Sequence, residues 1–425
     1  MLRRPPLVLV ILLLSFPQVV ETIYSPALPQ IVVSYRITPE EAAQPLSLWF
    51  VAFAFGVVSW GRLCDIVGRR PALLAGLVCY TLGCGWAMLA DSFAQLLIAR
   101  FISAFGAAAG SIVTQTSLRD SYRGAGLARV FSLLGMALAV SPAIGMLLGQ
   151  VLAFHAGLQG VFAGLALLAI ALVSLSAVFW PETRPHNVQP AHFQQTLRDM
   201  LKDPTIWSSA ALIALFNLAM FGYYQLGPFL FEQLDSHWLG FGESGLVLAA
   251  ASLLGAFTNS LLLRRGSSAR QLITLGVLLL AIGAVLTYVL SFSPAFLIGM
   301  AVIALGYAMA IPNILAGALR NYANRLGTAG AILSMLYYVL LGLGLVMAGL
   351  GQRLDILLLT CSMLTALTLG LDRLMLKVFS NGYDRGPLRS MPGDSKPLLG
   401  HRHAGRTLQP GNSCSDRVVA CCRKD

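Results

Sequence analysis

The chain has 425 residues, of which 57% are hydrophobic and only 11% are charged, and its net charge is +11. Soluble globular domains carry about 25% charged residues, so this composition, with a mean hydropathy of +0.74, indicates a protein that lies mostly in a lipid bilayer. The positive charge does not indicate a nucleic-acid-binding protein, because the basic residues are scattered through short loops instead of forming one basic face.

Twelve apolar segments follow one another along the chain, and each is about long enough to cross the hydrocarbon core of a bilayer. Each is predicted to be a helix, because a lone span in lipid must satisfy its own backbone hydrogen bonds. The first has the charged start of a signal peptide but no small-residue cleavage site, so it is predicted to remain as a span. In chain order, spans 1 to 12 are predicted at residues 6–33, 45–64, 71–90, 93–116, 128–153, 158–180, 206–231, 243–263, 270–291, 294–319, 328–350 and 353–377. The pattern predicts an all-α polytopic membrane protein.

The basic residues of the loops are distributed unequally between the two sides of the predicted membrane. If the amino terminus is cytoplasmic, the loops on that side before span 12 carry sixteen arginines and lysines, whereas the opposite loops carry only Arg36 and Arg353. Positive charge in short loops marks the cytoplasmic side, so both termini are predicted to lie there. Because one missed or extra span would scramble the pattern, it also supports the count of twelve.

The longest interruption of the apolar pattern, at residues 181–204, divides the spans into six and six. It contains a predicted amphipathic helix at residues 191–201, with Phe193, Leu197 and Leu201 on one face. Two pseudo-symmetric six-helix halves are typical of secondary transporters, and the loop at residues 259–272 weakly echoes the one at 61–71. The predicted domains are an N-terminal half (1–183), a cytoplasmic linker (184–204), a C-terminal half (205–378) and a basic, disordered cytoplasmic tail (379–425).

The loop between spans 2 and 3 reads GRLCDIVGRRP (residues 61–71) and combines arginines, an aspartate and glycines. It resembles the loop 2–3 signature of the major facilitator superfamily, G-x-L-a-D-r-x-G-r-k, except that Ile66 stands where the family usually has a basic residue. The matching positions are Gly61, Leu63, Asp65, Gly68, Arg69 and Arg70. The resemblance implies a charge relay, a conformational latch that stabilises the outward-facing state and that includes Arg119 and Asp120 at the inner end of span 4. The missing cation at Ile66 implies a weaker latch.

Further segments of the first half resemble the bicyclomycin-resistance-like drug:proton antiporters. They are YSPALP (24–29), LIARFISAFG (97–106), SPAIG (141–145) and WPET (180–183). The third resembles the antiporter motif of helix 5, with Pro142 and Gly145 kept and with Ser141 and Met146 in place of two usual glycines. This resemblance implies a bend in span 5 that seals the cavity against leak. Ordinary small-residue packing is the alternative.

Two charged residues lie inside the apolar spans, where a charge is costly and usually faces a cavity or a partner. Arg100 in span 4 is predicted to tune the proton affinity of a nearby acid, or else to brace helices through backbone carbonyls. Glu21 is the only carboxylate well inside span 1, and a low-dielectric surrounding favours the neutral form of an acid, as a proton carrier needs. Relatives usually have an aspartate at the position of Thr22, about 100° away around the helix. A solvated carboxylate at the outer end of span 1 is therefore the alternative for Glu21.

Other polar and aromatic residues within the spans are candidates for the wall of a central cavity, and a packing role is the alternative for each. The candidates are Tyr24, Gln115, Asn217, Tyr224, Gln225, Tyr307 and Asn313. Because few fixed charges are available to such a cavity, it is expected to suit weakly polar, amphiphilic or cationic compounds better than strongly anionic ones.

The chain has neither a phosphate-binding G-x-x-x-x-G-K-[ST] run nor a His-Glu-x-x-His motif, so no enzyme, metal site or cofactor is expected. The resemblance implies a monomeric exporter of the bacterial inner membrane that exchanges protons for small organic compounds or drugs by alternating access. Its expected partners are the substrate, protons and membrane lipids, with no nucleic acid. The alternatives are a dedicated exporter of one metabolite, such as a siderophore or a nucleoside, an importer, and a non-transporting membrane sensor or scaffold.

Overall fold

The computed structural model describes residues 4–122, 124–184, 193–234 and 240–383, which are almost entirely helical and contain no strand. The helices are α1 (Leu7–Tyr24), α2 (Leu28–Tyr35), α3 (Pro39–Ala42), α4 (Gln44–Val67), α5 (Arg69–Met88), α6 (Phe93–Ser121), α7 (Gly124–Phe179), α8 (Phe193–Lys202), α9 (Pro204–Gln233), α10 (Phe241–Arg264), α11 (Ala269–Val289), α12 (Phe296–Ala318), α13 (Leu326–Gly351) and α14 (Leu354–Tyr383). Short 3₁₀ segments lie at Ser25–Ala27 and Arg320–Arg325. The predicted tail at 379–425 begins within α14, and from residue 384 onward it lies outside the described residues.

Eleven helical stretches of the described residues are long and apolar enough to cross a membrane. One of them, Leu133–Phe179, covers most of predicted spans 5 and 6 and counts as one stretch. The two spans are separated at Gly157, whose positive φ of 63° interrupts α7. Span 1 consists of α1 and α2, and the break between them coincides with Pro26, which has no backbone N–H to continue the helix. The all-α class with twelve spans is confirmed.

The same kind of close contact joins spans 3 and 4 in the first half and spans 9 and 10 in the second. A Cβ added to Gly106 on α6 would lie 2.6 Å from the carbonyl oxygen of Gly76 on α5. About 200 residues further along the chain, a Cβ added to Gly306 on α12 would lie 2.9 Å from the carbonyl oxygen of Gly276 on α11. Glycines let these helices approach backbone to backbone, and the repeated contact supports the internal pseudo-symmetry. The spans pack as one compact unit, Met1–Lys377, so the boundaries of the two halves stay a prediction.

The linker helix predicted at residues 191–201 is present as α8, and its first two predicted residues lie outside the described part of the chain. Its buried face differs from the prediction. Thr196 and Met200 are fully buried, whereas Leu201, predicted to share one apolar face with Phe193 and Leu197, is 43% exposed.

Contacts with the second half account for this rotation of α8. Arg325, which precedes α13, donates hydrogen bonds to the Asp199 carboxylate at 2.9 Å and to the Thr196 hydroxyl at 3.1 Å. The indole of Trp207 on α9 donates to the carbonyl oxygen of Leu201 at 2.9 Å. Because these partners come from other segments, the periodicity of the linker alone could not reveal which face is buried.

Candidate functional site

A cavity of about 990 Å³ lies between the first six and the last six spans. The side of the bundle on which α4 turns into α5 is called the latch side, and the opposite side the far side; α6 and α10 also end on the latch side. The wall of the cavity runs from Glu21 on α1 and Trp49 on α4 to Arg119 on α6 and Arg264 on α10, which lie at the latch-side ends of their helices. The cavity therefore opens toward the latch side.

On the far side the two sets of spans are in contact. The Gln225 side chain on α9 donates to the carbonyl oxygen of Ala43, next to the start of α4, at 2.9 Å and to that of Leu345 on α13 at 3.2 Å. α4 and α13 approach so closely that a Cβ on Gly342 would lie 3.1 Å from the carbonyl oxygen of Ser47. These contacts close the far end of the cavity.

Glu21 faces the cavity and is the only carboxylate among the described residues of its wall. It is only 3% exposed, and its Oε1 has no hydrogen-bond partner among the described residues. Thr22 is also buried, but its hydroxyl donates to the carbonyl oxygen of Gln18, at 2.8 Å, within the same helix. The acid on the wall is therefore Glu21, and Thr22, at the position where relatives usually have an aspartate, is not part of the wall. A buried carboxyl without partners is costly to keep charged, so its surroundings suit uptake and release of a proton.

Arg100 is buried behind this wall, and aromatic rings surround its charge. Its guanidinium lies between the rings of Tyr24 and Trp49, 4.4 Å from each ring centre, and cation–π attraction partly replaces the hydration it has lost. Its Nε and Nη2 atoms have no hydrogen-bond partner in the described part of the chain. Arg100 attracts Glu21 electrostatically, although no ion pair within 4.0 Å joins them. The structure thus places the predicted coupling residues near each other, and Trp49, which contacts both Arg100 and the cavity, was not predicted.

Aromatic side chains from both sets of spans form much of the cavity wall. They are Trp49, Phe50, Phe53, Phe221, Tyr224, Phe257, Tyr307, Tyr337 and Tyr338. The ring of Phe50 on α4 packs edge-on against Phe221 on α9 at 4.7 Å and lies nearly parallel to Tyr338 on α13 at 5.8 Å, measured between ring centres. Aromatic surfaces of this kind suit the apolar part of an organic molecule.

Four of the seven predicted cavity residues lie on the wall: Gln115, Asn217, Tyr224 and Tyr307. The hydroxyl of Tyr307 donates to Oδ1 of Asn217 at 3.1 Å, and Nδ2 of Asn217 donates to the carbonyl oxygen of Ile213 at 2.8 Å. This hydrogen bond connects α12 to α9, so Tyr307 and Asn217 both line the cavity and hold two helices together, which is the packing role given above as the alternative to substrate contact.

The other three predicted cavity residues, Tyr24, Gln225 and Asn313, are not part of the wall in this conformation. Tyr24 covers Arg100. Gln225 takes part in the far-side contact. Asn313 on α12 donates to Oδ1 of Asn259 on α10 at 2.8 Å. Each of them satisfies or shields a polar group inside the bundle.

The helix 5 motif residues contribute to the wall and to close helix packing. Pro142 lies on the wall, and the backbone of α7 stays helical there, since its one non-helical residue is Gly157. Gly145 contacts α1 so closely that an added Cβ would lie 2.7 Å from the carbonyl oxygen of Val19. Close small-residue packing is thus present at Gly145, and the bend at Pro142 stays a prediction.

A charge cluster, consisting of Asp65, Arg69, Asp120 and Glu182, lies at the turn between α4 and α5. The buried guanidinium of Arg69 donates at 2.8 Å to Asp120 through Nε and at 2.8 Å to both Asp65 and the Cys64 carbonyl oxygen through Nη1. These bonds connect α4, α5 and α6, which all belong to the first six spans. Asp65, Arg69 and Asp120, three of the predicted latch residues, are thus brought together, but within one half.

Glu182, the acid of the WPET segment, completes the cluster and was not predicted as a site residue. Its carboxylate accepts hydrogen bonds from the backbone N–H groups of Arg69 at 2.9 Å, Arg70 at 3.0 Å and Arg184 at 2.8 Å. Because α5 begins at Arg69, the carboxylate caps the helix and interacts with its positive end. Glu182 lies more than a hundred residues from Arg69 and Arg70 in the chain, so only the resemblance of WPET to related segments could have indicated that it belongs to the cluster.

Arg70 and Ile66 lie beside the charge cluster. The Arg70 guanidinium donates to the carbonyl oxygen of Ala177 at 2.5 Å. The side chain of Ile66 is 59% exposed, and its carbonyl oxygen accepts a hydrogen bond from the Arg184 guanidinium at 2.8 Å. An arginine from another segment therefore binds the backbone at the position where the family usually has a basic side chain.

Arg119 and Gly61, two further predicted latch residues, lie outside the charge cluster. Arg119 lies on the cavity wall, whereas its neighbour Asp120 binds Arg69. Successive residues of a helix point about 100° apart, which separates the two predicted latch residues. Gly61 faces α6, where an added Cβ would make an ordinary 3.5 Å contact with Ile112.

Gly68→Ala is expected to lower the free energy of unfolding by about 1–3 kcal/mol. Gly68 has φ of 110°, which strains a residue with a side chain, and its Cβ would lie 2.6 Å from Oε2 of Glu182. Gly266 is a matched control, because it has φ of 89° but no atom within 4 Å of an added Cβ. Thermal unfolding in detergent should show a larger loss for Gly68→Ala. Equal losses would mean that contact with Glu182 does not matter.

Glu182 also predicts a pH dependence of stability. Partial burial opposes ionisation of its carboxyl, but the backbone N–H groups of Arg69, Arg184 and Arg70 outweigh this and lower its pKa. Such a group stabilises the fold fully above its ordinary pKa of about 4.3, and its contribution is lost as the pH falls through the lower value of the folded state. The melting temperature of the wild type should therefore fall more steeply below about pH 4.3 than that of Glu182→Gln. Parallel curves would contradict the role of the carboxylate.

Known proteins resemble the chain along most of its length. The family profile described as "Major Facilitator Superfamily" matches residues 10–345. An uncharacterized transporter of Rickettsia felis is 31% identical over 337 residues, which cover 76% of this chain and 83% of the relative. A chloramphenicol resistance protein of Pseudomonas aeruginosa is 30% identical over 327 residues, covering 75% and 77%. The solved structure of the POT family transporter PepTSo is 10% identical, with a TM-score of 0.72 over 89% of this chain and 98% of that chain.

Proposed function

Because this chain belongs to the major facilitator superfamily, we propose that it is a proton-coupled antiporter that exports small organic compounds, drugs among them, from a bacterial cell. The proposal depends mainly on one observation: Glu21, the only carboxylate on the described part of the wall, faces a cavity that lies between two six-span sets and is closed at one end. A secondary transporter needs such a central site, which its two halves expose alternately to the two sides of the membrane.

The lining of the cavity supports a substrate with an apolar, aromatic part. Nine aromatic side chains of the described residues contribute to the wall, and the charged side chains among these residues are Glu21 and two arginines near the latch-side opening. The similarity to a chloramphenicol resistance protein supports a drug-like compound of this kind. The resemblance of segments 24–29, 97–106 and 141–145 supports an exporter of the bicyclomycin-resistance-like subtype.

Coupling follows from differential binding. Protons and substrate must favour opposite-facing states, because only a difference in affinity between two states can shift their equilibrium. In this proposal Glu21 carries the proton, and Arg100 favours release of that proton when substrate binds. With both termini in the cytoplasm, the latch side faces the cytoplasm, and the described conformation is open inward to receive substrate.

Proteoliposomes with an imposed pH gradient test this function. Purified protein should accumulate labelled chloramphenicol in vesicles with an acidic lumen, and nigericin, which collapses the gradient, should abolish the accumulation. If chloramphenicol is not transported, compounds that accumulate outside cells expressing the chain, compared with cells lacking it, become the next probes. Transport of such a compound without any proton movement would contradict antiport. The absence of any exported compound would favour a sensor or scaffold.

A further inference from the structure

On the far side, α7 of the first half and α10 of the second meet at a notch formed by two glycines. The side chain of Gln150 on α7 lies in this notch, beside Gly240 and Gly242 at the start of α10. A Cβ added to Gly242 would lie 2.7 Å from the Cβ of Gln150, and one added to Gly240 would lie 2.8 Å from its Nε2. The missing side chain at Gly242 therefore leaves the space into which Gln150 enters.

Gln150 uses both ends of its amide group in this notch. Its Nε2 donates to both carboxylate oxygens of Glu243, at 2.8 Å each, and its Oε1 accepts the backbone N–H of Gly242. Glu243 lies in the first turn of α10, where the positive end of the helix favours a carboxylate. If the amide were turned around, it would place its NH₂ group against the N–H of Gly242 and its oxygen against the carboxylate. The contact is therefore specific in its orientation.

The hydrogen bonds that cross between the halves all lie on the far side. Among the described residues, no hydrogen bond or ion pair joins the first six spans to the last six except those of Gln150 with α10 and of Gln225 with Ala43 and Ser47. The charge cluster of the α4–α5 turn is confined to the first half, so it does not hold the halves together in this conformation.

We propose that Gln150 and Glu243 form a far-side lock that holds the transporter in its latch-side-open conformation. Separating α7 from α10 on the far side must break the bonds of Gln150 to a charged group, and hydrogen bonds to charged groups are the stronger ones. Gln150 and Glu243 are positioning residues that set the balance between the two facing states, and they do not touch the Glu21 carboxyl. The lock depends on the alternating-access part of the proposed function.

Hydrogen–deuterium exchange of the whole protein in lipid nanodiscs tests the lock without substrate or a pH gradient. Glu243→Gln replaces the charged carboxylate by a neutral amide with one accepting oxygen, and the far side should open on the order of ten times more often, the effect of losing one hydrogen bond to a charged group. Exchange should then rise in peptides covering residues 143–153 and 241–249. Because one side closes as the other opens, exchange should fall at 115–121 and 256–264, near the latch-side opening.

Two further variants keep the test decisive. Gln150→Met fills the notch without hydrogen bonds and should give the same pair of opposite changes, even if Glu243→Gln folds poorly. Gln30→Ala is the matched control, because Gln30 donates at 2.9 Å to the carbonyl oxygen of Ala153 within the first half. Its exchange near residues 241–249 should stay at the wild-type level. A rise confined to the first turn of α10, with no fall on the latch side, would show local fraying and overturn the lock. A failure of the chloramphenicol experiment would leave this result unaffected.

Discussion

Glu21→Gln is expected to reduce transport driven by a pH gradient to the level of empty vesicles. The carboxyl is the only acid on the described cavity wall, and glutamine has nearly its shape but cannot release a proton. Because Oε1 has no hydrogen-bond partner among the described residues, the substitution removes no bond from that oxygen. We therefore expect a folded protein whose wall still fits the substrate but whose two facing states no longer respond to protons.

Two assays separate loss of coupling from loss of folding. Exchange of labelled for unlabelled substrate across vesicles at equal pH needs no net proton movement, so Glu21→Gln should retain it while gradient-driven accumulation disappears. Glu232→Gln is the control, because Glu232 lies near the end of α9 and outside the cavity wall, and it should behave like the wild type. Gradient-driven accumulation by Glu21→Gln at the wild-type rate would remove Glu21 from the coupling mechanism.

The spans and their order could be predicted from the sequence, because they depend on local features. Apolar length fixes a span, and loop charge fixes its direction, so each of the twelve could be recognised without knowing its neighbours. The break within α7 also has a local cause, the positive φ of Gly157. The buried face of α8 was predicted less well, because Arg325, well over a hundred residues away, binds Asp199 and rotates the helix.

The candidate site was predicted in part, and the difference again depends on sequence distance. Asp65 and Arg69 are four residues apart on a recognisable motif, whereas Glu182 reaches Arg69 across more than a hundred residues. Glu21 could be identified because a lone acid in an apolar span is unusual. That Trp49 shares the guanidinium of Arg100 with Tyr24 could not be predicted, since an aromatic residue in an apolar span has no distinguishing pattern.

Asp120→Asn is expected to lower the free energy of unfolding by about 3 kcal/mol, because removing the more buried partner of an ion pair leaves the buried Arg69 charge with only the more exposed Asp65 as its counter-ion. Asp65→Asn is the matched comparison: both aspartates bind the same buried guanidinium of Arg69 at 2.8 Å, but Asp120 is 15% exposed and Asp65 is 47% exposed. Water screens the Asp65 pair and can replace it, so this variant should lose at most about 1 kcal/mol. Unfolding in mixed detergent–SDS micelles measures both losses, with Arg62→Met, at an exposed arginine near the end of α4, as the control for charge alone. Equal losses of stability in the two aspartate variants would show that burial does not govern the strength of the cluster. The cluster would then be stabilised by its bonds to and from the backbone, in which the Glu182 carboxylate accepts the N–H groups of Arg69 and Arg70 and the Cys64 carbonyl oxygen accepts the Arg69 guanidinium.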